Sequence, residues 1–329
     1  MNNLYLYTLI FIGISYAASS QYTSIPDANF EAALSAYDDI PGDGQVPTAN
    51  ISSLQNLDVN SQSISDISGI EDFTSLHYLN CSYNNISSID VSSMPILQDL
   101  RIESNQFSNL DVSMNPKLRV LQCGDNLLSS IDLSNNPNTR TLSCSDNPLG
   151  NIDVSMLGEL FWLFCNNIGA NFIDVSNNPK LENFQCGNNV LTGIDVSNNP
   201  LLSSLQCDNS NLSSIDVSLN PELVSFNCNN NSILNLDVSN NPKLRFLRCE
   251  SNSLSSLDVT SNLNLSYLFI GFNSISTIDV SNNPLISFHC NNNLLTSLDV
   301  SNQPDLDQLL CNDNNINDLI VRIHTSNRI

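Results

Sequence analysis

Residues 181–201 read Leu181-Glu-Asn-Phe-Gln-Cys-Gly-Asn-Asn-Val-Leu-Thr-Gly-Ile-Asp-Val-Ser-Asn-Asn-Pro-Leu201, and this phrase organises the chain. It recurs as L-x-x-L-x-C-x-x-N-x-L-x-x-[IL]-D-V-S-x-N-P-x. Its aspartate returns every 21 residues from Asp90 to Asp279, and one step of 20 then reaches Asp299. The same phase extends over residues 54–319, which gives about 13 coils with almost no insertions. We number the positions of each coil from its first leucine, so Leu181 is position 1.

The pattern predicts a short strand in every coil. Side chains two residues apart on a strand share a face, so positions 4 and 6 point inward together. Equivalent strands of successive coils then form a parallel sheet with a spacing of ~4.8 Å. The asparagine at position 9 can satisfy backbone groups of neighbouring coils. The D-V-S-x-N-P-x stretch is too short and too rich in Pro and Asn for a full helix, so we expect turns or one 3-10 turn there.

This pattern resembles the leucine-rich-repeat superfamily, whose signature L-x-x-L-x-L-x-x-[NC]-x-L is matched over about four-fifths of the chain. It is most similar to the short bacterial type of exported Bacteroidetes proteins and, more distantly, to internalins, as in residues 64–70 (ISDISGI). Residues 25–34 (IPDANFEAAL) resemble the N-terminal cap of those exported proteins. The resemblance implies an α/β-class solenoid with a parallel β-sheet on the concave face, turns or short 3-10 segments on the convex face, and little α-helix beyond an N-terminal cap. It also implies surface adhesion or interaction as the function.

Four segments follow from these patterns. Residues 1–20 are predicted to be a signal peptide, because an apolar run at 4–14 precedes small residues at 17–20. An uncleaved anchor stays an alternative, since no Lys or Arg precedes the run. Residues 21–53 should form an N-terminal cap with a short helix at 26–37, for which Asp27 is the candidate N-cap. Residues 54–319 should form the solenoid and 320–329 a short tail. We therefore expect a secreted or cell-surface protein that is not an integral membrane protein.

Composition excludes some partners and gives no sign of catalysis. The chain has 33 acidic and 10 basic residues, a net charge of -23, and no Lys or Arg before Arg101. Nucleic acid needs a basic footprint, and anionic membranes also repel such a chain. No G-x-S-x-G, H-E-x-x-H or phosphate-binding glycine loop occurs, and the three histidines have no fixed partner in the repeat. We therefore expect no enzyme activity, and no residue set supports an undetected catalytic domain.

The ten cysteines all occupy position 6, where Ile102 and Ile270 stand in two other coils. Side chains in register on parallel strands have parallel Cβ vectors, which suits buried thiols better than disulfides. No C-x-x-C spacing is present, which removes the usual zinc pattern. The sequence thus favours a buried column of free thiols over disulfides or a metal site. The column comprises Cys81, Cys123, Cys144, Cys165, Cys186, Cys207, Cys228, Cys249, Cys290 and Cys311.

The aspartates at position 15 form a second column. Carboxylates ~5 Å apart repel unless something compensates. One compensation is local, an Asx-type cap on the following residues, and the other is calcium bridging between coils. A separate weak calcium candidate is Asp39 with Asp43, although Pro41 and Asn50 break the calcium-loop pattern and a simple turn also fits. The ladder comprises Asp90, Asp111, Asp132, Asp153, Asp174, Asp195, Asp216, Asp237, Asp258, Asp279 and Asp299.

Positions 3, 5, 7 and 8 should face the concave side, and most of them are Asn, Ser, Gln, Asp or Gly. Exposed aromatic and arginine side chains on such a surface predict partner binding, because they supply most hot-spot energy. The alternative is that they only fill space between neighbours, and the irregular coil with Ile168 and Ala170 could draw its aromatics inward. The runner-up function is a structural, possibly calcium-stabilised spacer of the cell envelope. The predicted binding residues are Trp162, Phe164, Phe246, Arg248, Tyr267, Phe269 and Phe272, with a smaller group at Tyr78, Tyr83 and Arg101.

Overall fold

The structure, a computed structural model, describes residues 21–322. The signal peptide predicted at 1–20 and residues 323–329 of the predicted tail lie outside the described residues. The described chain begins with β1 (Tyr22–Ser24), α1 (Ala28–Ala33), β2 (Gln45–Pro47) and α2 (Thr48–Ile51), with β1 antiparallel to β2. Among the described residues, no helix is long and apolar enough to cross a membrane.

A parallel sheet of 13 strands forms the body of the molecule, as the repeat predicts. Each strand covers positions 3–5 of one coil and pairs in register with the next, for example Leu205 with Phe226. The first strand is preceded by the N-terminal cap, and one 3-10 helix (Ile70–Asp72) follows it. The strands are β3 (Asn56–Asp58), β4 (Tyr78–Asn80), β5 (Asp99–Arg101), β6 (Val120–Gln122), β7 (Thr141–Ser143), β8 (Trp162–Phe164), β9 (Asn183–Gln185), β10 (Ser204–Gln206), β11 (Ser225–Asn227), β12 (Phe246–Arg248), β13 (Tyr267–Phe269), β14 (Ser287–His289) and β16 (Gln308–Leu310).

The opposite side of the coils consists of turns, which confirms that the solenoid has almost no helix. In the last two coils, positions 13–15 form a small separate parallel pair, β15 (Ser297–Asp299) with β17 (Asp318–Ile320). The helix α1 is shorter than the predicted 26–37. It ends at Leu34 because the chain then makes a turn in which Tyr37 N–H donates to the Leu34 carbonyl at 2.8 Å, and this turn packs Tyr37 against the core.

One continuous apolar core runs through the stack. In the coil of residues 181–201 the inward side chains Leu181, Phe184, Cys186, Leu191 and Val196 are all essentially inaccessible. Each such side chain stabilises the fold by ~1.5–3 kcal/mol, but only against adjacent coils. The N-terminal cap closes the first coil with its own buried residues, Ile25, Phe30, Leu34, Val46 and Ile51.

Two asparagine ladders tie the coils together. At position 9, Asn189 donates from Nδ2 to the carbonyls of Cys165 (3.0 Å) and Cys186 (2.9 Å), while its Oδ1 accepts from Ala170 N–H (3.0 Å). At position 19 a second ladder is buried. Asn199 there donates to the Val175 carbonyl (3.0 Å) and the Asn178 carbonyl (2.9 Å) of the preceding coil. Successive coils are therefore hydrogen-bonded to each other through their turns as well as through their strands.

Candidate functional site

The strand residues at positions 3 and 5 project from the concave face, and the two predicted aromatic regions lie there. Trp162 is 48% exposed and its strand neighbours at position 3 are Thr141 and Asn183. Phe164 on the same strand is half-buried. Ile168 and Ala170 sit in the core of this irregular coil and are fully buried, so they fill its interior themselves. Trp162 consequently remains on the surface instead of packing inward.

The second region spans β12, β13 and β14 and is built from two parallel columns of side chains. At position 3 the rings of Phe246 and Tyr267 stack with centroids 4.6 Å apart and planes 10° from parallel. At position 5 the guanidinium of Arg248 lies 5.1 Å from the centre of the Phe269 ring. Strict register between adjacent coils places these pairs face to face. Phe272 stands at the edge of the same coil as Tyr267 and is 55% exposed.

Two further side chains join this cluster. The guanidinium of Arg245, which precedes β12, lies 5.4 Å from the centre of the Phe246 ring. His289 meets Phe269 edge-on, with ring centroids 4.4 Å apart. Sequence reasoning assigns no binding role to His289, although its place at position 5, one coil after Phe269, is a usable signal. We call the group of Arg245, Phe246, Arg248, Tyr267, Phe269, Phe272 and His289 the aromatic–arginine cluster.

The backbone at position 8 is left-handed in every coil from residue 83 onward, with φ between 51° and 57°. This conformation suits Asn, Asp and Ser, which occupy most of these positions, because their short side chains hydrogen-bond locally. Two bulky residues break the rule, Tyr83 with φ 57° and Phe272 with φ 56°. Both rings are largely exposed, at 62% and 55%, so burial does not compensate for the strain. The chain therefore maintains a strained, solvent-exposed aromatic ring at these two positions.

The smaller group lies near the N-terminal end of the sheet. The Arg101 guanidinium lies 5.4 Å from the centre of the Tyr78 ring and is held by both carboxylate oxygens of Asp99, each at 3.0 Å. The Tyr78 hydroxyl is directed to Asp58 at 3.4 Å. Asp58 pairs in register with Asn80, which keeps it outside the aspartate column. Arg101 is thus already neutralised within its own strand.

All ten cysteines carry free thiols. Nine are fully buried and Cys311, in the last coil, is partly exposed. Burial raises the pKa of the Cys81 thiol to about 12 and raises the pKa of the Cys186 thiol well above its usual value. Nucleophilic and metal-binding chemistry requires the thiolate, so the buried column packs as apolar groups would.

Each aspartate of the position-15 column caps its own turn. In the coil of Asp195, one carboxylate oxygen accepts from Ser197 N–H at 2.9 Å, and the same bond recurs in all eleven coils. The Ser197 hydroxyl and backbone N–H hold the pKa of Asp195 below its usual range. Residues 21–322 contain no group of three or more His, Cys, Asp or Glu side chains placed to hold a metal ion.

The loop of Asp39 and Asp43 is arranged around a carboxylate. The N–H groups of Gly42 and Gly44 both donate to one oxygen of Glu31, at 2.9 and 2.8 Å. Asp43 accepts from Gln45 N–H at 2.9 Å, and Asp39 accepts from the Tyr22 hydroxyl at 3.0 Å. Converging N–H donors suit an anion, here the Glu31 side chain, whereas calcium needs converging oxygens. The geometry is that of a turn fastened to α1.

Comparisons with known proteins agree with this architecture. A family model described as leucine rich repeats (two copies) matches residues 52–93. Among curated relatives, Internalin J of Listeria monocytogenes is 36% identical over 67 residues, a stretch that is 20% of this chain and only 7% of that protein. Among solved structures, the functional domain of InlJ from Listeria monocytogenes, described as including a cysteine ladder, has a TM-score of 0.80 at 31% identity and covers 90% of this chain and 72% of that chain.

Two further solved structures share the fold at lower identity. The internalin InlF of Listeria monocytogenes has a TM-score of 0.80 at 24% identity, covering 90% of this chain and 95% of that chain. A leucine-rich-repeat protein of Leptospira interrogans has a TM-score of 0.77 at 18% identity, covering 83% and 75%. At these identities the similarity concerns the fold alone.

Proposed function

The chain belongs to the internalin-like leucine-rich-repeat proteins, which are built as protein-interaction repeat modules, and we propose that it is a non-catalytic recognition module, secreted or displayed at a cell surface. Its partner is a protein or glycan on another cell or in an extracellular matrix. The partner binds the concave face of the solenoid through the aromatic–arginine cluster, with Trp162 and Phe164 as a second contact region.

Phe272 is the observation that carries this proposal. A left-handed conformation costs a residue such as Phe roughly 1–2 kcal/mol, and the exposed ring recovers little of it within the chain. Strain of this kind concentrates at binding sites, where contact with a ligand offsets it. The neighbouring aromatics and arginines are of the residue types that dominate binding energy in interfaces.

The spacing of the two regions sets the footprint of a partner. Trp162 lies on β8 and Phe246 on β12, four strands apart in the sheet. At ~4.8 Å per strand the regions are separated by roughly 19 Å along the concave face. One globular partner covers both, because a standard interface buries about 800 Å² on each side.

Binding of the fluorescently labelled protein to a panel of intact cells and isolated matrix tests the proposal. The variant replaces Phe246, Tyr267 and Phe269 with Ser and Phe272 with Asn, the small polar types found at these positions in other coils. The matched control, Leu219→Ser with Leu263→Ser, removes two exposed apolar side chains from the turns, where they are 58% and 61% exposed. We expect the first variant to lose binding and the control to keep it. Equal binding by both folded variants would refute the concave-face assignment.

A further inference from the structure

The aromatic–arginine cluster gathers positive charge on a strongly acidic molecule. The chain has a net charge of -23 and only 10 basic residues. Arg245 and Arg248 nevertheless lie on one coil, directly before and at the end of strand β12. Both arginine side chains are exposed. This part of the face is therefore locally suited to an anion.

Among the described residues, neither arginine has a carboxylate partner within ion-pair distance. Within residues 21–322 the ion pairs closer than 4.0 Å involve Arg101, Lys180 and Lys243. Glu250, on the same coil as Arg248, instead accepts a hydrogen bond from the Asn229 amide at 3.2 Å. In the described part of the chain, the nearby Lys243 is thus paired with Glu222, whereas both arginines of the cluster lack an ion-pair partner.

Stacking positions both guanidinium groups before any partner arrives. Arg248 lies over Phe269 and Arg245 lies over Phe246, at 5.1 and 5.4 Å. A guanidinium held against a ring by its face still presents its N–H groups at its edge. Those N–H groups can hold a carboxylate by two parallel hydrogen bonds, and the stacking lowers the entropy lost on binding.

The same stacking disfavours a sugar as the occupant. Carbohydrates bind aromatic residues mainly through open ring faces. In the cluster, Phe246 and Tyr267 cover one face of each other, while Phe269 is flanked by Arg248 and His289. The surface therefore offers ring edges, the Tyr267 hydroxyl and guanidinium groups, which suit the mixed apolar and acidic surface of a protein.

Resting on the function proposed above, we propose that the aromatic–arginine cluster recognises a carboxylate-rich segment of a partner protein. Arg245 and Arg248 each bind one carboxylate of that segment. The edges of the aromatic rings pack on the apolar side chains beside those carboxylates. Specificity then comes from charge as well as from shape. The acidic remainder of this chain repels partners that carry acidic groups elsewhere, which fixes where such a segment can dock.

The experiment measures binding of a fluorescent peptide of alternating Glu and Leu to the full chain, with an alternating Gln and Leu peptide and polygalacturonate as the other probes. The variant is Arg245→Gln with Arg248→Gln. The matched control is Lys117→Gln with Arg119→Gln, which removes two exposed charges six strands away. We expect the variant to weaken binding of the Glu peptide by roughly tenfold or more and the control by less than about twofold.

Two results would overturn the inference. If the variant and the control weaken binding of the Glu peptide equally, the binding is general charge attraction. If polygalacturonate binds in preference to the Glu peptide and its binding depends on the two arginines, the cluster recognises an acidic glycan. The cell-binding assay separates these failures from failure of the proposed function. If only this inference fails, the aromatic variant still abolishes cell binding while Arg245→Gln with Arg248→Gln leaves it intact.

Discussion

The side chain at position 8 shows how stability and recognition oppose each other at a single residue. Phe272 has the same left-handed backbone as Asn188 (φ 56° against 55°), and its N–H still donates to the Asn291 carbonyl at 3.0 Å. Replacing it by Asn keeps that backbone bond and relieves the strain. We expect Phe272→Asn to raise the free energy of unfolding by ~1 kcal/mol, measured by urea denaturation.

Position 8 supplies its own controls. Tyr83→Asn should raise the free energy of unfolding by a similar amount, since Tyr83 has φ 57° and is also largely exposed. Asn188→Phe should lower the free energy of unfolding by about the same amount. If Phe272→Asn instead destabilises the protein, the ring contributes to internal packing and its strained backbone is not maintained for binding.

At the scale of an element, one carboxylate fastens the N-terminal cap to the solenoid. Asp27 caps α1 by accepting from Asn29 N–H (2.9 Å) and Phe30 N–H (3.0 Å) with one oxygen. Its other oxygen accepts from Ser65 N–H (2.9 Å) and Asp66 N–H (3.1 Å) in the first coil. Burial alone would raise the pKa of Asp27, but these hydrogen bonds outweigh it and lower the pKa to about 2.

We expect Asp27→Ala to lower the free energy of unfolding at pH 7 by ~1–2 kcal/mol, through loss of the helix cap and of the link to the first coil. The folded pKa lies below the ordinary 3.8, so the stabilisation is complete above pH ~4 and is lost as the pH falls towards 2. Urea midpoints at pH 7 and pH 2.5 measure both effects. The difference in urea midpoint between wild type and Asp27→Ala should be smaller at pH 2.5 than at pH 7.

Asp43→Ala is the control for this link, because Asp43 also caps a turn in the cap segment but accepts only from Gln45 N–H. It should cost less stability than Asp27→Ala. If the difference in urea midpoint between wild type and Asp27→Ala is the same at pH 7 and pH 2.5, the charge of the Asp27 carboxylate is not the source of the stabilisation.

Elements that follow the repeat period could be predicted from sequence, and elements that depend on local geometry could not. Strand positions, the inward thiols and the role of Asn189 follow from alternation and phase. The D-V-S-x-N-P-x stretch predicts a turn around Asn199, and only the structure shows the Asn199 amide buried against the preceding coil. The contact of His289 with Phe269 and the strain at Phe272 depend on side-chain orientation and backbone dihedrals, which composition does not encode.

At the scale of the whole molecule, coverage of the core differs between the two ends of the described chain. The first coil lies under the N-terminal cap, whose residue Phe30 stacks on Phe73 with ring centroids 6.3 Å apart. In the last coil Leu306, Leu309 and Cys311 are only partly buried. Because each coil of a repeat array is stabilised by its neighbours alone, opening should begin where coverage is least.

The cysteine column reports this opening coil by coil. In the folded protein we expect Cys311 to react first with iodoacetamide and Cys290 next, whereas interior thiols such as Cys186 react only as the array unfolds. The reason is that burial blocks access of the reagent to the thiol and raises the pKa of Cys290 to about 12. Pulse alkylation followed by peptide mass spectrometry measures the order, and Cys311→Ser should remove the fast phase while leaving the rest. Labelling of Cys186 as early as Cys311 would mean that the solenoid opens from its middle, contrary to a stack held together by nearest-neighbour contacts.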